Sequence, residues 1–391
     1  MNFARLKQFM DDLEKDYCIS GAAVAVIHKE KEVFRCYAGV MNEKGEPVSE
    51  KTLYRWYSMT KPITAVAAMQ LLEKGAYKLD EQVGKYLPEF YGMKVARLKP
   101  NGSYGWWNPP AKSEITIRQL LTMTAGLTYG GQFHPAEAET SKALSELEKS
   151  TNYNYTTRQF VKTIAGCPLM FEPGEHWNYS YCLDVVGALI EVWSKESFGE
   201  YLKKNIFEPL EMEDACFSLR EEDKARLMDF DRYDGRKKIK TYTEENRPLY
   251  TGKGFESGGA GLVGSLDDYI KFAYAMCHGG KGANGRTVIS AAAIDLMRTN
   301  CLNAEQLKSY DWEALCGYGY GLGVRTLIDR TAGGALSNIG EFGWNGFAGT
   351  YFLADPKEEL AIVYMQQRDP NLEGDIQPRL RNIVYGCLAA D

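Results

Sequence analysis

The feature that most constrains this sequence is the way its strand-like segments are separated from its helical segments. Short apolar runs bounded by polar turns lie near both ends of the chain, at 22–27, 33–37, 350–354 and 360–365. Each pair of runs predicts a β-hairpin. Between the two hairpins, apolar residues recur with the 3.6-residue period of a helix at 61–74, 115–123, 182–193 and 267–277. This order predicts an antiparallel sheet built from both ends of the chain, with a mainly helical unit inserted into it.

The expected fold class is therefore α/β of the α+β type, in which helices flank the antiparallel sheet. A chain of 391 residues has room for two such units, since a domain usually takes roughly 100–200 residues. We expect the sheet domain to comprise about 1–60 and 250–391, and the mainly helical domain to comprise about 61–249.

Composition and charge exclude several classes of protein. With 46 basic and 52 acidic residues the net charge is −6, so the concentrated basic face of a nucleic-acid binder is not expected. No apolar run reaches the roughly 20 residues needed to cross a bilayer, and we expect no membrane association. The nine cysteines include no C-x-x-C pair, and the first residues lack the continuous apolar stretch of a secretory signal. Both observations favour a reducing, cytoplasmic setting.

Several motifs with well-understood chemistry are absent from the sequence. It contains no G-x-S-x-G, no H-E-x-x-H and no G-x-x-x-x-G-K-[ST]. The histidines His28, His134, His176 and His278 lie far apart, without the spacing of metal ligands. We therefore expect no metal and no cofactor, and a small-molecule substrate as the partner.

An S-x-x-K tetrad, Ser58 to Lys61, stands directly before the apolar helix predicted at 61–74. Pro62 is tolerated only in the first turn of a helix, so the helix begins close to Ser58. A serine there has a free backbone N–H at the positive end of the helix, and Lys61 lies on the same face. A semi-buried amine can lose its proton near neutral pH and act as a base. The alternative is that Ser58 only caps the helix and Lys61 is solvated.

Two further segments contribute candidate residues. Tyr179 follows a Pro-Gly turn and precedes the helix at 182–193; a nearby cationic lysine favours the tyrosinate, which could shuttle a proton. The glycine-rich segment 340–350 leads into the C-terminal hairpin, and an edge strand there could offer the Phe347 N–H as an oxyanion donor beside that of Ser58. The alternatives are a tyrosine that only packs and glycines that only form a bulge.

Two irregular stretches, 101–110 and 152–155, are rich in aromatic residues. Loops that carry Trp and Tyr often line binding sites, which makes Trp106 and Trp107 candidate substrate-binding residues. The alternative is that these rings only anchor long loops to the core.

Taken together, the three segments resemble a serine hydrolase of the class C β-lactamase-like superfamily, which includes penicillin-binding proteins, D-aminopeptidases and family VIII carboxylesterases. The resemblance extends over nearly the whole chain and is supported by the segments 115–127, 206–210 and 317–323. It implies a β-lactamase/transpeptidase-like fold in which residues 1–391 form a single catalytic unit. It also implies that Ser58 is the acylated nucleophile, that Lys61 is its base and that Tyr179 is the proton shuttle. The third motif of the family falls on Trp344-Asn345-Gly346.

Two departures from the family pattern place the chain closest to the carboxylesterases. Tyr181 occupies the position of the asparagine that binds the substrate amide in the lactamase and peptidase branches. Trp344 replaces the lysine that attracts a β-lactam or peptide carboxylate, and binding an unpaired carboxylate in a closed site is costly. The usual histidine of the Leu-Leu-Thr-His segment is Met123, for which we have no interpretation.

The resulting expectation is a serine hydrolase that cleaves small or medium acyl esters through an acyl-serine intermediate. Tyr181, Asn345 and Gly346, with the indoles of Trp106, Trp107 and Trp344, are the expected substrate-binding residues. The alternatives are a D-amino-acid amidase or peptidase, a weak β-lactamase, an acyltransferase, and a binding module that retains the fold without catalysis.

Overall fold

The computed structural model describes residues 1–99, 105–243 and 254–389. In these ranges the α-helices are α1 (Ala4–Asp11), α2 (Leu13–Tyr17), α3 (Thr60–Glu73), α4 (Ile117–Leu121), α5 (Pro135–Thr151), α6 (Thr157–Ala165), α7 (Cys182–Ser194), α8 (Phe198–Leu202), α9 (Glu208–Leu210), α10 (Leu266–Cys277), α11 (Ala291–Met297), α12 (Ala304–Lys308) and α13 (Glu373–Leu388). Short 3₁₀ turns lie at Tyr57–Met59, Val83–Lys85, Pro88–Phe90, Glu221–Arg226 and Glu313–Leu315, and a π turn lies at Lys203–Phe207.

The strands are β1 (Gly21–His28), β2 (Lys31–Gly39), β3 (Leu53–Arg55), β4 (Arg97–Leu98), β5 (Trp106–Trp107), β6 (Phe230–Asp234), β7 (Lys237–Tyr242), β8 (Val263–Ser265), β9 (Tyr318–Tyr320), β10 (Arg325–Leu327), β11 (Phe342–Asn345), β12 (Tyr351–Asp355), β13 (Leu360–Gln366) and β14 (Arg368–Asp369). The main sheet has seven strands in the order β2-β1-β13-β12-β11-β10-β9. Every adjacent pair in it is antiparallel, and β1 from one end of the chain pairs with β13 from the other. The predicted fold class is thereby confirmed.

Side chains alternate between the two faces of this sheet, because successive residues of a strand point to opposite sides. On β1, Val24 and Val26 pack with residues of α1 and α13, such as Leu6 and Leu380. Ala25 faces the other way, into the larger core that also contains α3, α7 and α10. Helices therefore cover both faces of the sheet.

The helices predicted from periodicity form, and side-chain caps mark the start of two of them. The Thr116 side chain accepts a hydrogen bond from the Gln119 N–H in a capping box at the start of α4, and Ser265 caps α10 through the Asp268 N–H. Pro62 lies in the first turn of α3, as its missing N–H requires. In the described ranges, no helix combines the length and the apolar character needed to cross a membrane.

The segment predicted to be mainly helical also contributes strands. The hairpin β6–β7 pairs through β6 with β14, a strand near the end of the chain. The acidic run 229–234 followed by the basic run 236–240 indicates a solvated hairpin tip in the sequence. Strand β7 is mostly exposed, whereas β6 is partly buried. The division into two domains stays a prediction, and its boundary at about 249–250 lies outside the described residues.

Two glycines provide a matched test of the packing of the sheet. At Gly343, in β11, an added Cβ would lie 1.9 Å from the Phe352 carbonyl oxygen of β12. At Gly386, on the exposed side of α13, an added Cβ would meet nothing within 4 Å. Gly343→Ala should therefore lower the free energy of unfolding by about 2 kcal/mol or more through overpacking. Gly386→Ala should raise it by about 0.5–1 kcal/mol through helix propensity. Urea denaturation of both variants checks this, and similar stabilities for the two would contradict the packing described for β11.

Candidate active site

Ser58 lies in the 3₁₀ turn Tyr57–Met59 that leads directly into α3. The preceding Tyr57 has φ +47°, a left-handed conformation that costs a bulky residue of the order of 1 kcal/mol or more. The Tyr57 ring is held by edge contact with Phe347, with the ring centroids 5.6 Å apart. Packing thus maintains a strained turn immediately before Ser58, and Ser58 is half-buried in the wall of a pocket.

Lys61 is completely buried. Its Nζ lies 3.0 Å from Ser58 Oγ, 3.2 Å from the Tyr129 hydroxyl and 2.6 Å from the Gly259 carbonyl oxygen. Burial lowers the pKa of Lys61 to about 7, although the charge of Asp184 acts in the opposite direction. A neutral amine has two N–H groups and one lone pair. With its N–H groups directed at Gly259 and Tyr129, its lone pair is available to the Ser58 hydroxyl.

The Gly259 carbonyl is held in place by Asp184, on the first turn of α7. Asp184 Oδ1 accepts hydrogen bonds from Ser257 Oγ (2.5 Å) and from the Gly259 N–H (3.2 Å). An added Cβ at Gly259 would lie 2.5 Å from Asp184 Oδ2, so the backbone can approach this carboxylate only without a side chain. The glycine at this position thus lets the loop place its carbonyl against the amine of Lys61.

Tyr179 completes the group around Ser58. Its hydroxyl accepts a hydrogen bond from Trp344 Nε1 at 3.0 Å and is also hydrogen-bonded to Ser58. Because the indole N–H can only donate, the Tyr179 proton is free to point towards Ser58. Lys61 Nζ lies 4.4 Å from the centroid of the Tyr179 ring.

The expected tyrosinate is not favoured at Tyr179. Burial raises the pKa of Tyr179 well above its usual range, and its hydrogen bonds with Ser58 and Trp344 offset this only in part. The sequence-based argument assumed a cationic lysine, whereas burial also moves Lys61 towards its neutral form. At neutral pH the site therefore combines an amine that is in part neutral with a protonated phenol.

The sequence suggested that Phe347 lies on an edge strand, but the structure places it elsewhere. The strand before it, β11, pairs with both β10 and β12, and Phe347 follows in the turn that returns to β12. Gly346 makes this turn possible, since a Cβ there would lie 2.4 Å from the Trp56 carbonyl oxygen. In the described part of the chain, neither the Phe347 N–H nor the Ser58 N–H donates a hydrogen bond to another residue. Both donors remain available to a ligand.

A pocket of about 490 Å³ opens at Ser58. The described residues that line it are Tyr57, Ser58, Tyr129, Tyr179, Ala260, Trp312, Trp344, Asn345, Gly346, Phe347, Asn371 and Glu373. Half of these residues are aromatic, and the third motif, 344–346, lies in the wall together with the nucleophile and Tyr179. The structure therefore brings together Ser58, Tyr179, Phe347 and this motif, with Lys61 directly behind Ser58.

The other predicted substrate-binding residues lie outside this lining. Tyr181 packs behind the wall, with its ring centroid 4.5 Å from that of Tyr129 and 5.0 Å from that of Phe160. Trp106 and Trp107 form the short strand β5, are about half exposed, and are not among the described residues that line the pocket. Their role in substrate binding stays a prediction.

Sequence reasoning missed Tyr129, Trp312, Asn371 and Glu373, which come from segments distant in the chain. No motif singled them out; the sole hint was Tyr129, two residues beyond the family-like segment 115–127. No group of three or more histidine, cysteine or acidic side chains suited to a metal ion occurs in the ranges that the structure describes.

The protonation of Lys61 can be measured without any substrate. NMR titration of lysines labelled at Cε, assigned with Lys61→Arg, should give Lys61 a pKa of about 7. Asp184→Asn should lower this pKa further, because it removes the charge that favours the ammonium. Asp11→Asn, an exposed acid on α1, is the matched control and should leave it unchanged. A Lys61 pKa near 10 in the unmodified protein would contradict the account of its burial.

Comparisons with known proteins identify the family of this chain. Esterase EstB of Burkholderia gladioli is 27% identical over 405 residues, covering 98% of this chain and 95% of that protein. Lovastatin esterase of Penicillium rubens is 28% identical, covering 85% of each chain. The structure of EstCE1, described as a hydrolase with promiscuous acyltransferase activity, has the same fold, with a TM-score of 0.79, 23% identity and 98% of each chain covered. A family model described as Beta-lactamase matches residues 6–385, which confirms the resemblance stated from the sequence: this chain belongs to the Beta-lactamase family.

Proposed function

We propose that this protein is a serine hydrolase that cleaves small or medium acyl esters through an acyl-Ser58 intermediate. The observation that carries the proposal is the 3.0 Å contact between Ser58 Oγ and a buried Lys61 amine whose pKa is lowered to about 7. Such an amine can accept the proton of a serine at neutral pH. Two relatives that are named as esterases, each matched over at least 85% of this chain and of its own length, support the same class of reaction.

In the acylation step, Ser58 Oγ attacks the ester carbonyl carbon while its proton passes to Lys61 Nζ. The carbonyl oxygen becomes an oxyanion, which the N–H groups of Ser58 and Phe347 stabilise by hydrogen bonding. These donors add no net charge, and they are oriented before the reaction by the start of α3 and by the turn at Gly346.

The intermediate then collapses by breaking the bond between the acyl carbon and the alcohol oxygen. Tyr179 is protonated at rest, and it gives its proton to the leaving alcohol. The Lys61 ammonium, 4.4 Å from the Tyr179 ring centroid, stabilises the transient phenolate. In the deacylation step, a water molecule gives a proton to the Tyr179 phenolate and attacks the acyl carbon. The bond between the acyl carbon and Ser58 Oγ then breaks, Lys61 returns its proton to Ser58 Oγ, and the acid is released.

An acyltransferase is the second candidate, and the aromatic wall of the pocket favours it. The rings of Tyr129, Trp312 and Trp344 can hold an apolar alcohol beside acyl-Ser58, where it competes with water for the acyl group. Adding alcohols during ester turnover and quantifying the new ester against the free acid distinguishes the two fates of the acyl group.

We also propose that this activity belongs to a reducing compartment such as the cytoplasm. All nine cysteines are free thiols, and five of them are buried. Cell fractionation with an antibody against the protein tests this proposal.

Replacing the nucleophile tests the reaction directly. Ser58→Ala should reduce kcat/KM for p-nitrophenyl butyrate by at least about a thousandfold, because the variant lacks the hydroxyl that carries the acyl group. Ser113→Ala, at an exposed position outside the pocket, is the matched control and should retain activity. Equal turnover by the Ser58→Ala variant and its control would end the proposal.

The pH dependence follows from the protonation of Lys61. Only the neutral amine can accept the serine proton, so kcat/KM for a neutral ester should fall as the pH drops below about 7 and level off above it. Tyr179 should add no second limb in the neutral range, because burial raises its pKa. A rate that continues to climb up to pH 10 would show that Lys61 keeps the pKa of an ordinary lysine.

A further inference from the structure

One part of the pocket wall is polar, in contrast to the aromatic side chains that line much of the rest. Asn345, Asn371 and Glu373 line it together, and Glu373 is the first residue of α13. Among the described lining residues, Glu373 is the only one that can carry a formal charge at neutral pH. No described lysine or arginine lines this pocket.

The Glu373 carboxylate is held in a defined orientation by its neighbours. The side-chain amides of Asn345 and Asn371 both donate hydrogen bonds to Oε2, the latter at 3.3 Å. The Glu373 N–H donates in turn to Asn371 Oδ1 at 3.0 Å. Oε1 accepts no hydrogen bond from any described residue, and it is not one of the polar atoms that are fully buried without a partner. One carboxylate oxygen is thus occupied by the protein and the other is left for a ligand.

The orientation of the Asn345 amide is set from behind the wall. Arg325 is buried and donates to Asn345 Oδ1 at 3.4 Å, which turns the Asn345 NH₂ towards Glu373. The guanidinium lies over the rings of Tyr318 and Tyr351, with its carbon 5.3 Å and 5.0 Å from their centroids. A ligand in the pocket therefore meets Glu373 directly, whereas Asn345 separates it from Arg325.

We infer that the pocket selects esters that carry a cationic group, such as a quaternary ammonium, over neutral or anionic esters of the same shape. A fixed carboxylate beside aromatic rings is the arrangement that recognises such cations, through charge attraction and cation–π contact. The rings of Tyr129, Trp312 and Trp344 supply the aromatic part of the same pocket. Anionic esters are disfavoured because their charge would face Glu373. This inference rests on the proposed ester hydrolysis.

The test compares pairs of esters that differ only in charge. On the alcohol side the pair is butyrylcholine and 3,3-dimethylbutyl butyrate. On the acyl side it is the p-nitrophenyl esters of 6-(trimethylammonio)hexanoate and 7,7-dimethyloctanoate. For the pair whose cationic group reaches Glu373, the cationic ester should have a kcat/KM about five- to tenfold higher at low ionic strength. Added salt should reduce this ratio.

Glu373→Gln should bring the ratio of cationic to neutral ester to about one, and Glu373→Asp, which keeps the charge, should retain a ratio above one. Each ratio is internal to one enzyme, so a general loss of activity in a variant does not affect it. Glu50→Gln removes a carboxylate from an exposed position outside the pocket and should leave the ratio as in the unmodified protein.

The outcomes separate this inference from the proposed function. Ser58-dependent hydrolysis without a cationic preference in either pair would overturn the substrate class and leave the hydrolase intact. A preference that persists in Glu373→Gln would overturn the role of this residue. Failure to hydrolyse any of these esters, neutral ones included, would overturn both proposals.

Discussion

The chemistry of this site depends on one costly arrangement, an amine held out of contact with water. Lys61 has no exposed surface, and burial brings its pKa to about 7. An ammonium in such a place loses hydration, and the protein compensates with the Gly259 carbonyl and the more distant charge of Asp184. The compensation is incomplete, and this incompleteness makes Lys61 a base near neutral pH.

The fold supplies this environment by joining distant parts of the chain. Helix α3 is buried along nearly its whole length, between the main sheet and α7, so Lys61 on its first turn cannot reach solvent. The glycine segment at 258–259 passes close to α7 because it has no side chains in the way. The turn after β11 brings Phe347 into the wall of the pocket that also contains Ser58. The sheet, which is built from both ends of the chain, thus carries one wall of the pocket. The segment between the two ends of the chain carries the other wall.

Local features of this site were predictable from the sequence, whereas features that depend on burial were not. The spacing of Ser58 and Lys61 and the position of Pro62 are properties of one helix turn, and the structure shows the expected contact at 3.0 Å. The sequence-based argument expected a lowered pKa for Tyr179, whereas burial raises it. Periodicity does not report how deeply a phenol is buried. Glu373 was missed because it reaches the pocket only through the pairing of β12 and β13 ahead of α13, a long-range arrangement with no local motif.

The central claim is that Ser58, activated by a neutral Lys61, carries the acyl group during turnover. The most direct measurement is to quench the unmodified enzyme with acid during steady-state cleavage of p-nitrophenyl butyrate and to map its peptides by mass spectrometry. The account predicts a butyryl group on the peptide that contains Ser58, matched by a burst of p-nitrophenolate close to one equivalent of enzyme. An acyl group found on another residue during active turnover, with Ser58 unmodified, would contradict it.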